Sequence, residues 1–281
     1  MKITNKYNLP ESFARALAHD GYDYDPEAIS ATGLIKAPRQ RILEKRHWDE
    51  LEQDVTDRVW ALLGSAVHYM LDKASGHNSL NEERLAVDFD GTKIVGKPDL
   101  LEGNTLYDYK ITSVWKYVYG ISDDWEKQLN IYNYLYKSYG FDVKDLQIVA
   151  VFRDFSQNRA HEDNYPSIPL NVFRIKMWAS EDIVAYIRER IELHKEAEKL
   201  ADDELPFCTD EERWKQPTKY AVMKNNNKRA VKLYDNEADA IEHAKTDKAF
   251  WIQERPGIAK RCEKYCPVKD FCNQYKEADD V

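Results

Sequence analysis

The chain has 281 residues, with 50 Asp and Glu against 41 Lys and Arg, for a formal net charge of −9. That length holds one large domain with a small appendage, and 43% hydrophobic with 32% charged residues indicates a globular protein. The acidic balance speaks against a protein that coats nucleic acid, although the global charge does not set the local field. No run approaches the ~20 apolar residues that cross a bilayer, so no membrane partner is expected. No secretory leader is read in MKITNKYNLP, so a reducing, cytoplasmic location is expected.

In chain order, residues 9–19 read as a short helix entered near Pro10, and residues 30–34 as a helix entry capped by Ser30 or Thr32. Residues 54–73 form a long amphipathic pattern that carries His68. Residues 83–89, 93–99 and 105–110 read as three strands of a meander, with Glu102-Gly103-Asn104 as a turn. Residues 111–121 are rich in aromatics and border the expected binding groove. Residues 124–139 are helical, and Gln128 and Tyr132, four apart, share one face. Residues 146–153 and 170–178 read as further strands, and residues 180–200 as a charged helix with apolar positions at Ile183, Tyr186, Ile187, Ile191 and His194. After Leu205-Pro206 the pattern changes. Strands at 218–223, 230–234 and 250–253, with a helix at 236–245, predict a small ββαβ unit. The domains expected are therefore residues 1–205 and 206–281.

The chemistry concentrates in GKPDLLEGNTLYDYK, residues 96–110. Asp108 and Lys110, two apart on a strand, face the same side, and Asp99 is expected from the neighbouring strand. Two carboxylates beside a lysine suit a hard cation that carries a phosphate ester. Taken alone, an Asp/Lys pair on a strand is a common solvated ion pair. Basic runs lie at residues 36–41, 45–47 and 224–229, the last (KNNNKR) at an expected hairpin tip suited to a nucleic-acid contact.

Four motifs in a fixed order add weight: Gly64-Ser65-Ala66-Val67-His68, Gly96-Lys97-Pro98-Asp99, Asp108-Tyr109-Lys110, and Gln128-Leu129-Asn130-Ile131-Tyr132. Together they resemble the PD-(D/E)XK nuclease superfamily, in its RecB-like exonuclease branch of CRISPR-associated and phage type, over residues 30–136. The resemblance implies an α/β fold with a mixed central β-sheet flanked by helices, the restriction-endonuclease-like core. It implies a Mg²⁺- or Mn²⁺-dependent deoxyribonuclease, an exonuclease rather than an endonuclease, serving DNA end processing, recombination or repair in a bacterial or phage-infected cell.

By the same resemblance Asp99 and Asp108 would coordinate the metal, with the main-chain carbonyl of Tyr109 and the ring of His68 as further ligands. Lys110 would orient the attacking water and offset transition-state charge. A lysine beside two carboxylates suits that electrostatic role better than that of a free base. Gln128 and Tyr132 would hold the phosphate backbone or Lys110. A further acid is expected before the hairpin, either Glu82 or Glu83, with Glu83 sharing the parity of Leu85 and Val87. DNA is the implied partner, with a helicase or single-strand annealing protein and self-assembly into a homo-oligomer as further expectations. The alternative is a catalytically inactive DNA-binding or scaffold subunit that keeps the fold.

All four cysteines, Cys208, Cys262, Cys266 and Cys272, fall in the last third of the chain. In a reducing compartment a close triplet plus a distant partner suggests four thiolates on one metal rather than a disulfide framework. Some RecB-like exonucleases hold a [4Fe–4S] cluster with three C-terminal cysteines and one that precedes Pro-Arg. Here Ala37 stands before Pro38-Arg39, and Cys208 is taken as the fourth ligand. By resemblance Fe–S is preferred, with Zn²⁺ the alternative that four thiolates also suit.

Overall fold

The computed structural model describes residues 1–19, 25–74, 76 and 79–279. It divides into two compact units, Met1–Lys36 with Trp48–Lys199, and Ala37–His47 with Leu200–Val281. The chain opens with β1 (Lys2–Thr4), α1 (Glu11–Ala18), β2 (Ala28–Ser30) and α2 (Ala31–Ile35). After α3 (Pro38–Arg46), which belongs to the second unit, come β3 (Glu52–Asp54) and α4 (Val59–Ala74). Then follow β4 (Ser79–Asn81), β5 (Leu85–Phe89), β6 (Thr92–Gly96), β7 (Leu100–Glu102) and β8 (Thr105–Thr112). The first unit closes with α5 (Trp115–Val118), α6 (Asp123–Ser138), β9 (Asp145–Phe152), β10 (Leu170–Ile175) and α7 (Ser180–Glu198).

The first unit is mixed α/β. Its larger sheet runs β10-β9-β8-β7-β4, with β8 and β9 parallel and the other pairs antiparallel. A parallel pair needs a crossover, and α6 supplies it between β8 and β9. Along β9, Leu146, Ile148, Ala150 and Phe152 are buried, the period-2 pattern of a strand with one face in the core. They join Leu129, Ile131 and Leu135 of α6 and Ile183, Ile187 and Ile191 of α7 in one cluster. The four-residue spacing along α7 puts its apolar positions on one stripe. Ser30 caps α2, its hydroxyl accepting from the Gly33 amide at 3.0 Å.

A second sheet runs β2-β6-β5, with β2 parallel to β6 and β5 antiparallel to it. This corrects the expected meander, because β5 and β6 sit in one sheet and β7 and β8 in another. Pro98 offers no amide to a ladder and restricts Lys97, so pairing stops at Gly96 and resumes at Leu100. Asp99 lies in the bend between the sheets rather than on a strand. Gly96 marks a close approach, since a Cβ there would fall 2.6 Å from Leu135 Cδ1 and 2.8 Å from the Tyr132 ring of α6. The long amphipathic helix also differs from expectation. It begins as a 3₁₀ turn, Val55–Arg58, capped by Asp54, and no residue of the α4 segment is fully buried.

The second unit contains α3 with β11 (Lys219–Lys224), β12 (Lys232–Tyr234), α8 (Glu237–Ala244), β13 (Phe250–Arg255), α9 (Lys260–Lys264) and α10 (Asn273–Asp279). Its sheet runs β12-β11-β13, all antiparallel, and Ala221, Val222, Met223 and Ala240 are buried. Lys224, in the basic run at 224–229, pairs with Asp247 at 3.0 Å. Arg39, from the basic run at 36–41, is buried at 1% exposure. Its guanidinium donates to Pro206 O at 3.1 Å and to Leu205 O and Asn273 Oδ1, and lies 4.9 Å over the Phe207 ring. Among the described residues no helix is long and apolar enough to cross a membrane.

Candidate active site

The β7–β8 hairpin pairs Leu100 with Tyr107. Extending that register by one residue sets Asp99 opposite Asp108, and opposed residues of an antiparallel pair point to one face. The Tyr109 amide donates to Asp99 Oδ2 at 2.6 Å, which fixes the carboxylate in the bend. Asp108 is only 2% exposed, and Lys110 Nζ lies 2.7 Å from its Oδ2. From the other side Lys110 donates to Gln128 Oε1 at 3.1 Å, and Gln128 Nε2 donates to the Tyr132 hydroxyl at 3.0 Å. The i,i+4 pair on α6 thus holds the lysine head, and the missing side chain at Gly96 lets α6 come that close.

His68 reaches in from α4. Its Nε2 is 3.2 Å from Tyr109 O, and its Nδ1 is 3.3 Å from Asp99 Oδ1 and 3.9 Å from Glu82 Oε1. Both ring nitrogens face oxygen acceptors, a setting for the doubly protonated ring. The hydrogen bond to Asp99 raises the imidazole pKa above its ordinary value, with burial opposing it. Of the two acids considered before the hairpin, Glu82 stands beside His68 and also pairs with Lys97. Glu83 instead adds its field to Tyr136, whose hydroxyl burial pushes up to about 12. Parity pointed to Glu83, but Glu82 has a positive φ of 47°, which breaks the alternation just before β5.

Burial pushes the Asp108 carboxyl up to about 6, with Asp99 adding to the rise and Lys110 opposing it. Despite the nearby ammonium, Asp108 Oδ2 has no hydrogen-bond donor in good alignment. A buried carboxylate so placed, a second one opposite it and the Tyr109 carbonyl are hard oxygen donors that fit Mg²⁺ or Mn²⁺. Among the described residues no three His, Cys, Asp or Glu side chains already stand at metal-holding geometry. The His68 ring lies among the acceptors that a cation would draw together.

The four cysteines are free thiols, with Cys272 buried and the others half-buried. Burial raises Cys208 to about 12 and Cys266 to about 11, and raises Cys262 as well. Each of these three also feels the charge of other members of the set, but among the described residues the four are not drawn together into a metal-holding group. Gln274 holds Cys208 through two main-chain hydrogen bonds of 2.8 Å. Arg39, not singled out from the sequence, brings its guanidinium to 3.9 Å from Cys272 Sγ. Its position directly after Pro38 at the start of α3 was the available signal.

No family model matches the chain, and no curated protein matches it. Among solved structures, the crystal structure of SSO0001 is similar at 18% identity and a TM-score of 0.46, over 65% of this chain and 84% of that one. A phage-related exonuclease from Haemophilus somnus 129PT is similar at 14% identity and a TM-score of 0.38, over 59% of this chain and 90% of that one. An alkaline exonuclease from Laribacter hongkongensis is similar at 11% identity and a TM-score of 0.39, over 68% of this chain and 93% of that one. All three likenesses are loose, with TM-scores of 0.46, 0.38 and 0.39.

Proposed function

We propose that the chain is a divalent-metal-dependent DNA nuclease of the PD-(D/E)XK, RecB-like kind, acting as an exonuclease in DNA end processing. The observation that carries this reading is the arrangement of Asp99 opposite Asp108, with Lys110 held between Asp108 and Gln128. A phosphodiester is anionic and repels the hydroxide that would attack it. Bound Mg²⁺ or Mn²⁺, held by Asp99, Asp108 and the Tyr109 carbonyl, and by His68 once a ring nitrogen has given up its proton, would neutralise phosphate charge and acidify a bound water.

The chain's own groups do the rest. Lys110 sets a fixed positive charge where the phosphate arrives, and the Gln128–Tyr132 chain stops it from folding back onto Asp108 alone. Asp99 and Asp108 bring negative charge to the same face, a cost that a cation offsets. In the reaction the oxygen of water bonds to phosphorus and the P–O3′ bond breaks. The water gives up one proton and the leaving 3′ oxygen gains one, so the products are a 5′-phosphate and a 3′-hydroxyl. Cys208, Cys262, Cys266 and Cys272 are the donors for a structural [4Fe–4S] cluster, or for Zn²⁺. The support for that assignment is their sulfur chemistry and their common place in the second unit.

The test is incubation of end-labelled linear and closed circular DNA with Mg²⁺ or Mn²⁺. Wild type should degrade linear DNA, and Asp108→Asn should be slower by about a hundredfold or more. If wild type and Asp108→Asn are equally inert on every DNA form, the chain is a binding or scaffold subunit instead.

A further inference from the structure

We propose that Trp60, Trp115 and Tyr119, with Arg153, form a stacking platform that grips an unpaired DNA strand beside the candidate active site. The inference deepens the nuclease reading by naming the form of DNA that the site receives. Large aromatic rings usually go into the core, yet Trp60 is 56% exposed, Trp115 46% and Tyr119 80%.

These rings are ordered rather than loose. Trp115 and Tyr119 stack with centroids 5.4 Å apart and planes 14° from parallel, one turn apart along α5 and the residue that ends it. The Arg153 guanidinium lies 4.7 Å over the Trp60 ring, and Arg159 lies 6.0 Å over Trp115. Arg159 also pairs with Glu162 at 2.8 Å, so the exposed Arg153 is the better placed charge for a phosphate. Flat π faces beside a guanidinium are the elements that hold single strands, with bases on the rings and the backbone on the cation.

The platform is anchored. Val114, which leads into α5, is buried, and Asp154 accepts from its amide at 2.7 Å and from the Ser113 hydroxyl at 2.5 Å. It also adjoins the candidate site. Strand β8 carries Lys110 to Thr112 over two residues, about 7 Å, or about two base-stacking rises. There Arg153 donates its amide to Thr112 O at 2.9 Å. Trp60 and His68 share α4, eight residues and about 12 Å apart. A strand with its end at Lys110 would therefore meet the rings within a few nucleotides. In a duplex the base faces are already stacked on one another, so the rings favour an unpaired strand.

The experiment measures binding of labelled oligothymidylate and of a blunt DNA hairpin in EDTA, where metal-dependent cleavage cannot occur. Readouts are anisotropy and quenching of tryptophan fluorescence. The expected results are quenching by the single strand, a loss of single-strand affinity of about 10- to 100-fold in Trp115→Ala/Tyr119→Ala, and a smaller loss for the hairpin. Trp115→Phe, which keeps a ring, should retain most of the affinity, and thermal melting shows that each variant is folded. Unchanged single-strand affinity in the folded double variant overturns the platform. So does a change of oligomeric state in that variant with no change in binding, which would make the face a contact between copies. Cleavage by wild type with no single-strand quenching would sink the platform and leave the nuclease reading standing. Quenching without cleavage would do the reverse.

Discussion

The imidazole Nδ1 of His68 lies 3.3 Å from Asp99 Oδ1, while Nε2 of the same ring lies 3.2 Å from the Tyr109 carbonyl. One ring therefore joins two of the groups assigned to a cation; Asp99 favours its charged form in the metal-free site, and a bound metal would take the place of one ring proton. Losing the ring should loosen both acceptors. His68→Ala should raise the Mg²⁺ or Mn²⁺ concentration for half-maximal cleavage by about 10- to 100-fold, with a smaller effect at saturating metal. A metal titration of the cleavage rate checks this, and an unchanged midpoint removes His68 from the metal site.

Asp108 links the same site to stability. Its carboxyl is pushed from the ordinary 3.8 up to about 6, mainly by burial. A group raised in the folded state contributes stability below its unfolded value, and that contribution is lost as pH rises through the folded value. Metal-free protein should thus lose stability between about pH 4 and pH 6 on this account, by at most about 3 kcal/mol. His68, also raised, adds a further loss as pH climbs through its own range. Asp108→Asn should therefore melt higher than wild type in EDTA at pH 7 and above while losing activity, a trade typical of functional sites. Thermal melts from pH 4 to 8 check the sign, and a lower melting point for Asp108→Asn at pH 8 contradicts it.

Gly96 sets how near α6 comes. A methyl group there would meet Leu135 and Tyr132, both in the core, so Gly96→Ala should destabilise by about 1–3 kcal/mol through overpacking. Because Tyr132 bonds Gln128 and Gln128 bonds Lys110, the cleavage rate should fall as well. Denaturant melts and single-turnover rates read the two effects separately. A variant with wild-type stability and rate would show that the contact yields freely.

The periodic parts of this chain were legible because local pattern and local structure agree. Gln128 and Tyr132 share a helix face at i,i+4, and the β7–β8 turn falls at Glu102-Gly103-Asn104 between alternating residues. The split into two sheets was not legible. Its marker, Pro98, says that pairing stops, but which sheet each strand joins is decided by long-range partners such as β2 for β6 and β9 for β8. That Glu82 rather than Glu83 lies beside His68 was obscured by its positive φ, which no parity argument anticipates. Arg39 read as part of a solvated basic run, and its burial depends on carbonyls of Leu205 and Pro206 far along the chain.

The cysteine assignment has its own check. Purified protein should contain iron and sulfide, or stoichiometric zinc, and Cys208→Ser should lower that content along with the stability of the second unit. A brown preparation points to the cluster and a colourless zinc protein to the alternative. Metal-free, fully folded protein with four titratable thiols would refute both.

The most direct measurement of the central claim is single-turnover cleavage of end-labelled linear DNA in saturating Mg²⁺, for wild type and Lys110→Ala, with DNA affinity measured in parallel. If Asp99, Asp108 and Lys110 form a phosphodiester-hydrolysing centre, the variant should lose about a hundredfold or more in rate and bind DNA nearly as well as wild type. Equal rates in the two proteins would contradict the account.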